Sequence, residues 1–229
     1  MKPLSRMALF ALFALVAIAL ARPAAGQVPE DRSHRWYWGA TAGGFAYKTN
    51  DQGYYIDPMI GVHWLITAKR TALYLGGDQA FLLTASRATV VDQSTGSAHD
   101  VTFDQIRRLF IGLMAFPLQQ HVEPFAGIGV GLMTIQNPTA DCSGVTPTAI
   151  CASPADAANA EALAQSAGSK AIGWAIGGVQ INVGKLAVFG QYMVNSAANN
   201  FLLSGATHTF QGGIRYSFGS AKEDITSEH

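Results

Sequence analysis

Apolar and polar residues alternate along most of the chain beyond residue 35, in short segments that polar stretches separate. The segment Val122–Ile135 shows this most clearly, because large apolar residues alternate there with glycine and a single glutamate. A period of two predicts strands with two unlike faces. Eight strands are predicted: Arg35–Lys48, Tyr55–Ile66, Thr71–Leu82, Val101–Phe116, Val122–Ile135, Ala171–Asn182, Leu186–Ser196 and Thr207–Phe218. The pattern does not rank the two faces of the sixth strand.

The less apolar face of these strands carries glycine, small polar groups and isolated charges. A soluble sandwich would place bulky residues inside and charges outside, whereas a narrow transmembrane barrel needs small groups inside and apolar groups against lipid. The connections support the barrel because they alternate in length. The short ones are Thr67–Arg70, Pro117–His121 and Val183–Lys185; the others, mostly longer, are Thr49–Tyr54, Leu83–Asp100, Gln136–Lys170 and Ala197–Ala206. The prediction is an all-β, eight-stranded antiparallel transmembrane barrel with short periplasmic turns and longer extracellular loops.

The first 26 residues have the character of a secretory signal peptide. Lys2 and Arg6 precede an uncharged apolar run, Met7–Ala21, and small residues at Ala24 and Gly26 suit cleavage before Gln27. A membrane anchor is the alternative, but the run is short for a span of about 20 residues. The expected organisation is therefore a signal peptide at 1–26, a periplasmic segment at 27–34, the barrel at 35–218 and a polar periplasmic tail at 219–229.

Charge and composition narrow the class of protein. Charged residues make up 13% of the chain, about half of the roughly 25% usual in soluble domains. The 15 basic and 15 acidic residues cancel, so neither a nucleic-acid-binding surface nor a disordered chain is indicated. Loss of the signal peptide removes three bases and leaves 12 against 15, a net charge of about −3.

Two stretches carry a resemblance to a known group of proteins: Phe125–Met133 (FAGIGVGLM) and Thr207–Phe218 (THTFQGGIRYSF). The chain resembles the small eight-stranded outer-membrane barrels of Gram-negative bacteria, of the OmpA-barrel, OmpX and OmpW-like kinds. The resemblance implies that Tyr216 and Phe218 form the signal read by the barrel-assembly machinery, although eleven further residues follow here. It also implies location in the outer membrane, contact with outer-membrane lipids and lipopolysaccharide, and a monomer.

Six polar side chains are predicted to point into the lumen. These are His63, Asp78, Arg108, Glu123, Gln191 and Arg215. Charges removed from water must be paired, and counting from the turns places them at two depths. We therefore expect two ion pairs, Asp78–Arg108 higher and Glu123–Arg215 lower, that plug the barrel. The alternative interpretation is a gate in a small pore.

The third long loop is expected to be ordered. Cys142 and Cys151 form a close pair in an exported chain, which predicts a disulfide. Ser153, Pro154 and Asp156 have the spacing of a helix start, and Gly168 is a plausible stop. Leu163 is the helix's one large apolar residue, so no strong docking face is expected. The loop is interpreted as a rigid cap or, alternatively, as a binding or adhesion surface.

Aromatic side chains near the strand ends predict belts at the membrane interfaces, with Arg107 facing outward near the outer-leaflet phosphates. The belt residues are Trp36, Tyr37, Trp38, Tyr47, Tyr54, Tyr55, Trp64, Tyr192 and Tyr216.

Sequence evidence for catalysis is weak. The histidines lack metal-binding spacing, the cysteines lack a CxxC spacing, and no cofactor or metal is expected. An outer-membrane lipid deacylase would place Ser and His on one outward face, but Phe210 occupies the position two residues after His208. The predicted function is a non-enzymatic outer-membrane barrel, structural or surface-exposed, with a largely filled lumen. A narrow channel for small or apolar solutes is the alternative, and a lipid-modifying enzyme is the least favoured reading.

Overall fold

The structure, a computed structural model, describes residues 35–50, 53–118 and 121–220. The predicted signal peptide and the tail beyond residue 220 lie outside the described residues, so they stay predictions. The elements are β1 (Arg35–Lys48), β2 (Tyr54–Ala68), β3 (Thr71–Val91), β4 (Ala98–Ala115), β5 (Val122–Gln136), β6 (Thr139–Ala140), α1 (Pro154–Ala167), β7 (Ser169–Val183), β8 (Leu186–Asn195) and β9 (Thr207–Ser220).

The strands close into a barrel. β1 pairs with both β2 and β9, and β3 pairs with both β2 and β4, always antiparallel. The remaining contacts run β4–β5–β7–β8–β9, while the two-residue β6 attaches to β4. The predicted eight-stranded antiparallel barrel is thus confirmed. The pairing of β1 with β9 closes the sheet, so neither strand is a free edge. We call the end with the β2–β3, β4–β5 and β7–β8 turns the turn end, and the opposite end the loop end.

The register sets how far the strands tilt. We followed the paired residues from strand to strand once around the barrel, starting at Thr71 on β3. This path returns to β3 beside Phe81, so the register offset around the barrel is ten residues. Eight strands with an offset of ten tilt by about 40° and leave an interior that side chains can fill. The path runs through Ala115, Ala126, Gly177, Tyr192, Phe210, Gly44 and Pro58, whose neighbour Met59 pairs with Ala80.

The β3–β4 hairpin is longer than predicted. Most of the expected loop Leu83–Asp100 forms strand, with a register shift between Phe81 and Ser86. Asp92 closes the turn by donating its N–H to the Ser97 carbonyl at 2.8 Å. The extension is stable because it has its own buried row, which includes Val90 and Val101. The alternation of β4 predicts Asp104 on the same inward face as Arg108, and this is wrong, because Asp104 lies at the register shift and is exposed.

The structure decides the orientation of β7, which the pattern left open. Ile172, Trp174 and Ile176 are buried in the lumen, while Ala171, Gly173 and Ala175 face outward and are exposed. Bulky residues are therefore inside on this strand, the reverse of β5, where Gly127, Gly129 and Gly131 face inward. Large and small side chains complement one another across the lumen.

Among the described residues, no helix is long and apolar enough to cross a membrane.

Candidate functional site

All six predicted lumen residues are buried. His63, Asp78, Arg108, Glu123, Gln191 and Arg215 each keep between 1% and 7% of their surface exposed. They come from β2, β3, β4, β5, β8 and β9, so only the closed barrel brings them together.

Arg108 and Asp78 form the upper cluster of the lumen. The Arg108 Nε and Nη2 atoms donate to the two Asp78 carboxylate oxygens, each at 2.8 Å. Nη1 donates to Thr209 Oγ1 at 2.9 Å, and the guanidinium lies 4.6 Å from the Phe45 ring centroid. The predicted ion pair is present in the bidentate geometry that makes such pairs strong.

Arg215 organises the lower cluster differently from the prediction. The predicted direct pair with Glu123 is wrong, because Gln180 joins the two residues. Arg215 Nη1 donates to Gln180 Oε1 at 2.6 Å, and Gln180 Nε2 donates to Glu123 Oε2 at 2.7 Å. Arg215 Nε also donates to His63 Nε2 at 2.9 Å, so this imidazole accepts at Nε2. An amide can serve both charges at once, since it has a donor and an acceptor.

Gln191 and Gln211 join the two clusters into one network. Gln211 Nε2 donates to Asp78 Oδ2 at 3.3 Å, and its Oε1 accepts from Gln191 Nε2. Gln191 Oε1 in turn accepts from Arg215 Nη2 at 3.4 Å. The lumen therefore holds a continuous polar column from Glu123 to Arg108, and not two separate layers. Sequence reasoning missed Gln211, although its inward position in the alternation of β9 was visible.

Aromatic rings fill the space around the column. The Arg215 guanidinium lies 3.9 Å from the centroid of Phe189 and 5.0 Å from that of Phe125. Trp174 crosses the lumen, and its Nε1 donates to the Val130 carbonyl at 3.0 Å. Glycine makes room for it, since a Cβ atom at Gly129 would lie 2.5 Å from Trp174 Cζ2.

The two ends of the column differ. Towards the loop end it meets a layer of buried apolar side chains: Ile106, Met133, Ile135, Leu202 and Leu203. Towards the turn end there is a small pocket whose lining includes Tyr37, Thr67, Glu123 and Arg215. The column is thus sealed at the loop end and approached by solvent at the turn end.

The third long loop forms the predicted cap. The disulfide between Cys142 and Cys151 is present, and the Ser153 side chain accepts from the Asp156 N–H at the start of α1. The expectation that α1 has no docking face is wrong, because Ala160 and Ala164 are fully buried. Alanine allows the helix backbone to approach the extended hairpin closely, and this packing needs no large side chain.

Polar contacts tie the cap to the hairpin below it. Arg87 pairs with Asp141 at 2.6 Å, and Thr146 Oγ1 donates to Asp100 Oδ2. Asn159 Nδ2 donates to Asp92 Oδ2 at 3.3 Å. The Ser143 N–H donates to Asp141 Oδ1 at 3.0 Å, and hydrogen bonding by Ser143, chiefly by its side chain, lowers the pKa of this carboxyl, so Asp141 stays ionised for Arg87.

Removal of the disulfide by the paired change Cys142→Ser and Cys151→Ser is expected to loosen the cap alone. Closing a ring of this size contributes about 2–3 kcal/mol in the chain-entropy account. Amide hydrogen exchange should quicken within residues 137–168 and stay unchanged in β1, β8 and β9. Faster exchange throughout the barrel would contradict the independence of the cap.

The aromatic belts are partly as predicted. Trp36, Trp38 and Tyr54 face outward and are exposed, as is Tyr216, while Trp64 and Tyr192 are half-buried. Tyr55 is exposed at the loop end but lies on the inward side of β2, with its ring stacked on Tyr47 at 5.8 Å. Tyr37 and Tyr47 were assigned wrongly, since both are buried in the lumen; Tyr47 Oη donates to Asp57 Oδ2 at 2.9 Å. Their inward parity in β1 was readable, but the belt prediction used only closeness to the strand ends. Arg107 is exposed, as predicted, and donates to Gln79 at 3.1 Å.

The closest approach to a catalytic arrangement is an outward pair on β8 and β9. Tyr192 Oη and His208 Nδ1 share a hydrogen bond, and the Phe210 ring lies tilted beside the tyrosine, with the centroids 4.9 Å apart. No nucleophile lies between them. Within the described part of the chain, no three His, Cys, Asp or Glu side chains are grouped to hold a metal ion.

Comparisons with solved structures identify the fold. No protein-family model matches the chain, and no curated protein sequence matches it. The structure is similar to Neisserial surface protein A (NspA), at 12% identity over 80% of this chain and 97% of that chain, with a TM-score of 0.55. It is also similar to Ail, the attachment invasion locus protein of Yersinia pestis, at 10% identity over 81% and 99%, with a TM-score of 0.50. The outer membrane protein OprG from Pseudomonas aeruginosa matches at 12% identity over 82% and 98%, with a TM-score of 0.40. The first two matches show that this chain has the fold of the small eight-stranded outer-membrane barrels.

Proposed function

We propose that this chain is a non-enzymatic integral protein of the bacterial outer membrane, with a filled lumen and a rigid cap exposed at the cell surface. The observation that carries the proposal is the lumen itself. Each of its charged side chains has a bonded partner, and aromatic rings occupy the remaining space. The short-turn end would face the periplasm and the loop end the exterior.

The outer surface supports insertion into a membrane. Large apolar side chains are exposed in a continuous band on β4 and β5, among them Leu109, Leu113, Ile128 and Val130. A soluble protein rarely exposes a patch of this size. A strand segment of about ten residues, tilted by about 40° from the barrel axis, spans the roughly 25 Å height of the apolar band of outer-membrane barrels.

The assembly partner is proposed from β9. Tyr216 and Phe218 face outward at the turn end, and their rings pack 4.9 Å apart. This exposed aromatic end of the closing strand suits recognition by the barrel-assembly machinery. The remaining proposed partners are outer-membrane lipids and lipopolysaccharide, and the chain is proposed to be a monomer.

A filled lumen is expected to give no ion conductance and no solute uptake. The test is single-channel recording in planar bilayers together with liposome swelling, on wild type and on the variants Glu123→Ala and Arg215→Ala. The purified protein should also show a heat-modifiable gel shift and fractionate with the outer membrane. A soluble protein with no such shift would overturn the proposal.

A narrow channel is the second candidate, favoured by the continuity of the polar column from the turn-end pocket to Arg108. If the column is a closed gate, Arg215→Ala should open it and raise conductance above that of the wild type. Conductance by wild type itself would favour the channel outright.

A lipid-modifying activity would instead change the mass spectrum of lipid A when the chain is expressed, and no change is expected.

A further inference from the structure

The two ends of the barrel differ in charge. At the turn end Lys69, Arg70 and Lys185 are exposed in the β2–β3 and β7–β8 turns. The one acid described at that end, Glu123, is buried in the lumen and bonded to Gln180. Among the residues described at the loop end, acids outnumber bases: Asp92, Asp100, Asp104, Asp141, Asp156 and Glu161 against Lys48, Arg87, Arg107 and Lys170. We call Lys69, Arg70 and Lys185 the turn cations.

Outward aromatic side chains gather at the same end. Trp38 stacks on Trp64 with ring centroids 5.6 Å apart, and Trp36 meets Trp64 edge-on at 5.1 Å. Tyr216 pairs with Trp38 across β9 and β1, and Phe218 packs on Tyr216. These five residues form what we call the aromatic arc. All three outward tryptophans belong to it, since Trp174, the fourth described tryptophan, lies in the lumen.

The turn cations flank the aromatic arc on both sides. Lys185 precedes Leu186, which pairs with Tyr216 at one edge of the arc. Lys69 and Arg70 follow β2, the strand that carries Trp64 at the other edge. The β7–β8 turn is tied to β9 because Ser217 donates its N–H to the Lys185 carbonyl at 2.8 Å. The Phe116 N–H donates to the Arg70 carbonyl at 2.7 Å, which holds the other turn.

We propose that the turn end binds the phosphate headgroups of anionic phospholipids in the periplasmic leaflet, with the acyl chains against the aromatic arc. Indole rings favour the headgroup level of a bilayer, and lysine and arginine near a surface attract anionic lipid. Among the described residues, the exposed charge at the turn end is positive, so a zwitterionic lipid gains less there than an anionic one. The proposal rests on the proposed membrane insertion and adds a lipid preference to it.

The test uses tryptophan quenching by bromine-labelled lipid. Full-length protein is inserted into phosphatidylcholine vesicles that contain a small, equal mole fraction of brominated phosphatidylglycerol or brominated phosphatidylcholine. Bromine quenches only the tryptophans it touches, which here are those of the aromatic arc, while Trp174 supplies a constant background. We expect brominated phosphatidylglycerol to quench at least about twofold more, and high salt to remove the excess.

Charge variants assign the preference to the turn cations. The variant Lys69→Gln/Arg70→Gln/Lys185→Gln should abolish the excess quenching by phosphatidylglycerol. The variant Arg70→Gln/Lys185→Gln keeps Lys69, which also lines the turn-end pocket, and should reduce the excess. The matched control, Lys48→Gln/Lys170→Gln at the loop end, should keep it. Equal quenching by both lipids, or equal loss in the control, would overturn the lipid preference. No quenching by either lipid would instead contradict membrane insertion and, with it, the proposed function.

Discussion

Replacement of Asp78 by asparagine is expected to lower the free energy of unfolding by about 3–5 kcal/mol. The change leaves the Arg108 guanidinium buried among Phe45, Phe110 and Met59 without its bidentate carboxylate. The measurement is urea unfolding of the protein from lipid vesicles, followed by tryptophan fluorescence. Asparagine has nearly the shape of aspartate, so a loss of this size reports the charge and not a cavity.

Two further variants test whether the loss of stability comes from leaving a buried charge without its partner. Arg87→Gln breaks the partly exposed Arg87–Asp141 pair between the hairpin and the cap, and it should cost about 1 kcal/mol or less. The double change Asp78→Leu/Arg108→Met removes both buried charges and should recover most of the stability lost in Asp78→Asn. An Asp78→Asn protein as stable as wild type would show that water or another carboxylate reaches Arg108, and the lumen would not be filled.

Replacement of Gly129 by alanine is expected to destabilise the barrel by about 1–3 kcal/mol or more, because the lumen is overpacked. The new Cβ atom would lie 2.2 Å from the Ile111 carbonyl oxygen and 2.5 Å from the Trp174 ring. The ring can shift only by displacing its neighbours, and the carbonyl belongs to the β4–β5 ladder. The variant should show a weaker heat-modifiable gel shift and a lower unfolding midpoint in urea.

Gly177→Ala is the matched control for this change. Gly177 lies on the neighbouring strand β7, faces outward, and has no atom within 4 Å of an added Cβ. Both variants replace glycine by alanine in a strand, so intrinsic strand preference cancels in the comparison. If Gly177→Ala were as destabilising as Gly129→Ala, glycine would be required for the backbone conformation of the strands and not to make space for side chains in the lumen.

The local sequence pattern was sufficient to predict which side chains face the lumen wherever the alternation within a single strand decides it. The alternation in β5 identified its lipid-facing side, and the parity of Asp78 and Arg108 placed both side chains inside. The β3–β4 extension was missed because its buried row lies beyond a register shift, where the buried positions of β4 change from Val101 and Phe103 to Ile106 and Arg108. Ala160 and Ala164 were missed as a docking face because close approach of a helix depends on small residues, which a search for large apolar ones overlooks.

The sequence by itself determined the eight strands, the alternation of short turns and long loops, the disulfide-stapled cap and six of the polar residues that face inward. Each of these follows from spacing along one chain segment. Only the tertiary structure decided which polar groups meet, since Arg215 and His63 are 152 residues apart and touch across the closed lumen. The ten-residue register offset of the barrel sets the height of each inward side chain along the barrel axis. It places three glutamines, Gln180, Gln191 and Gln211, between the charged groups, and no local pattern encodes that offset.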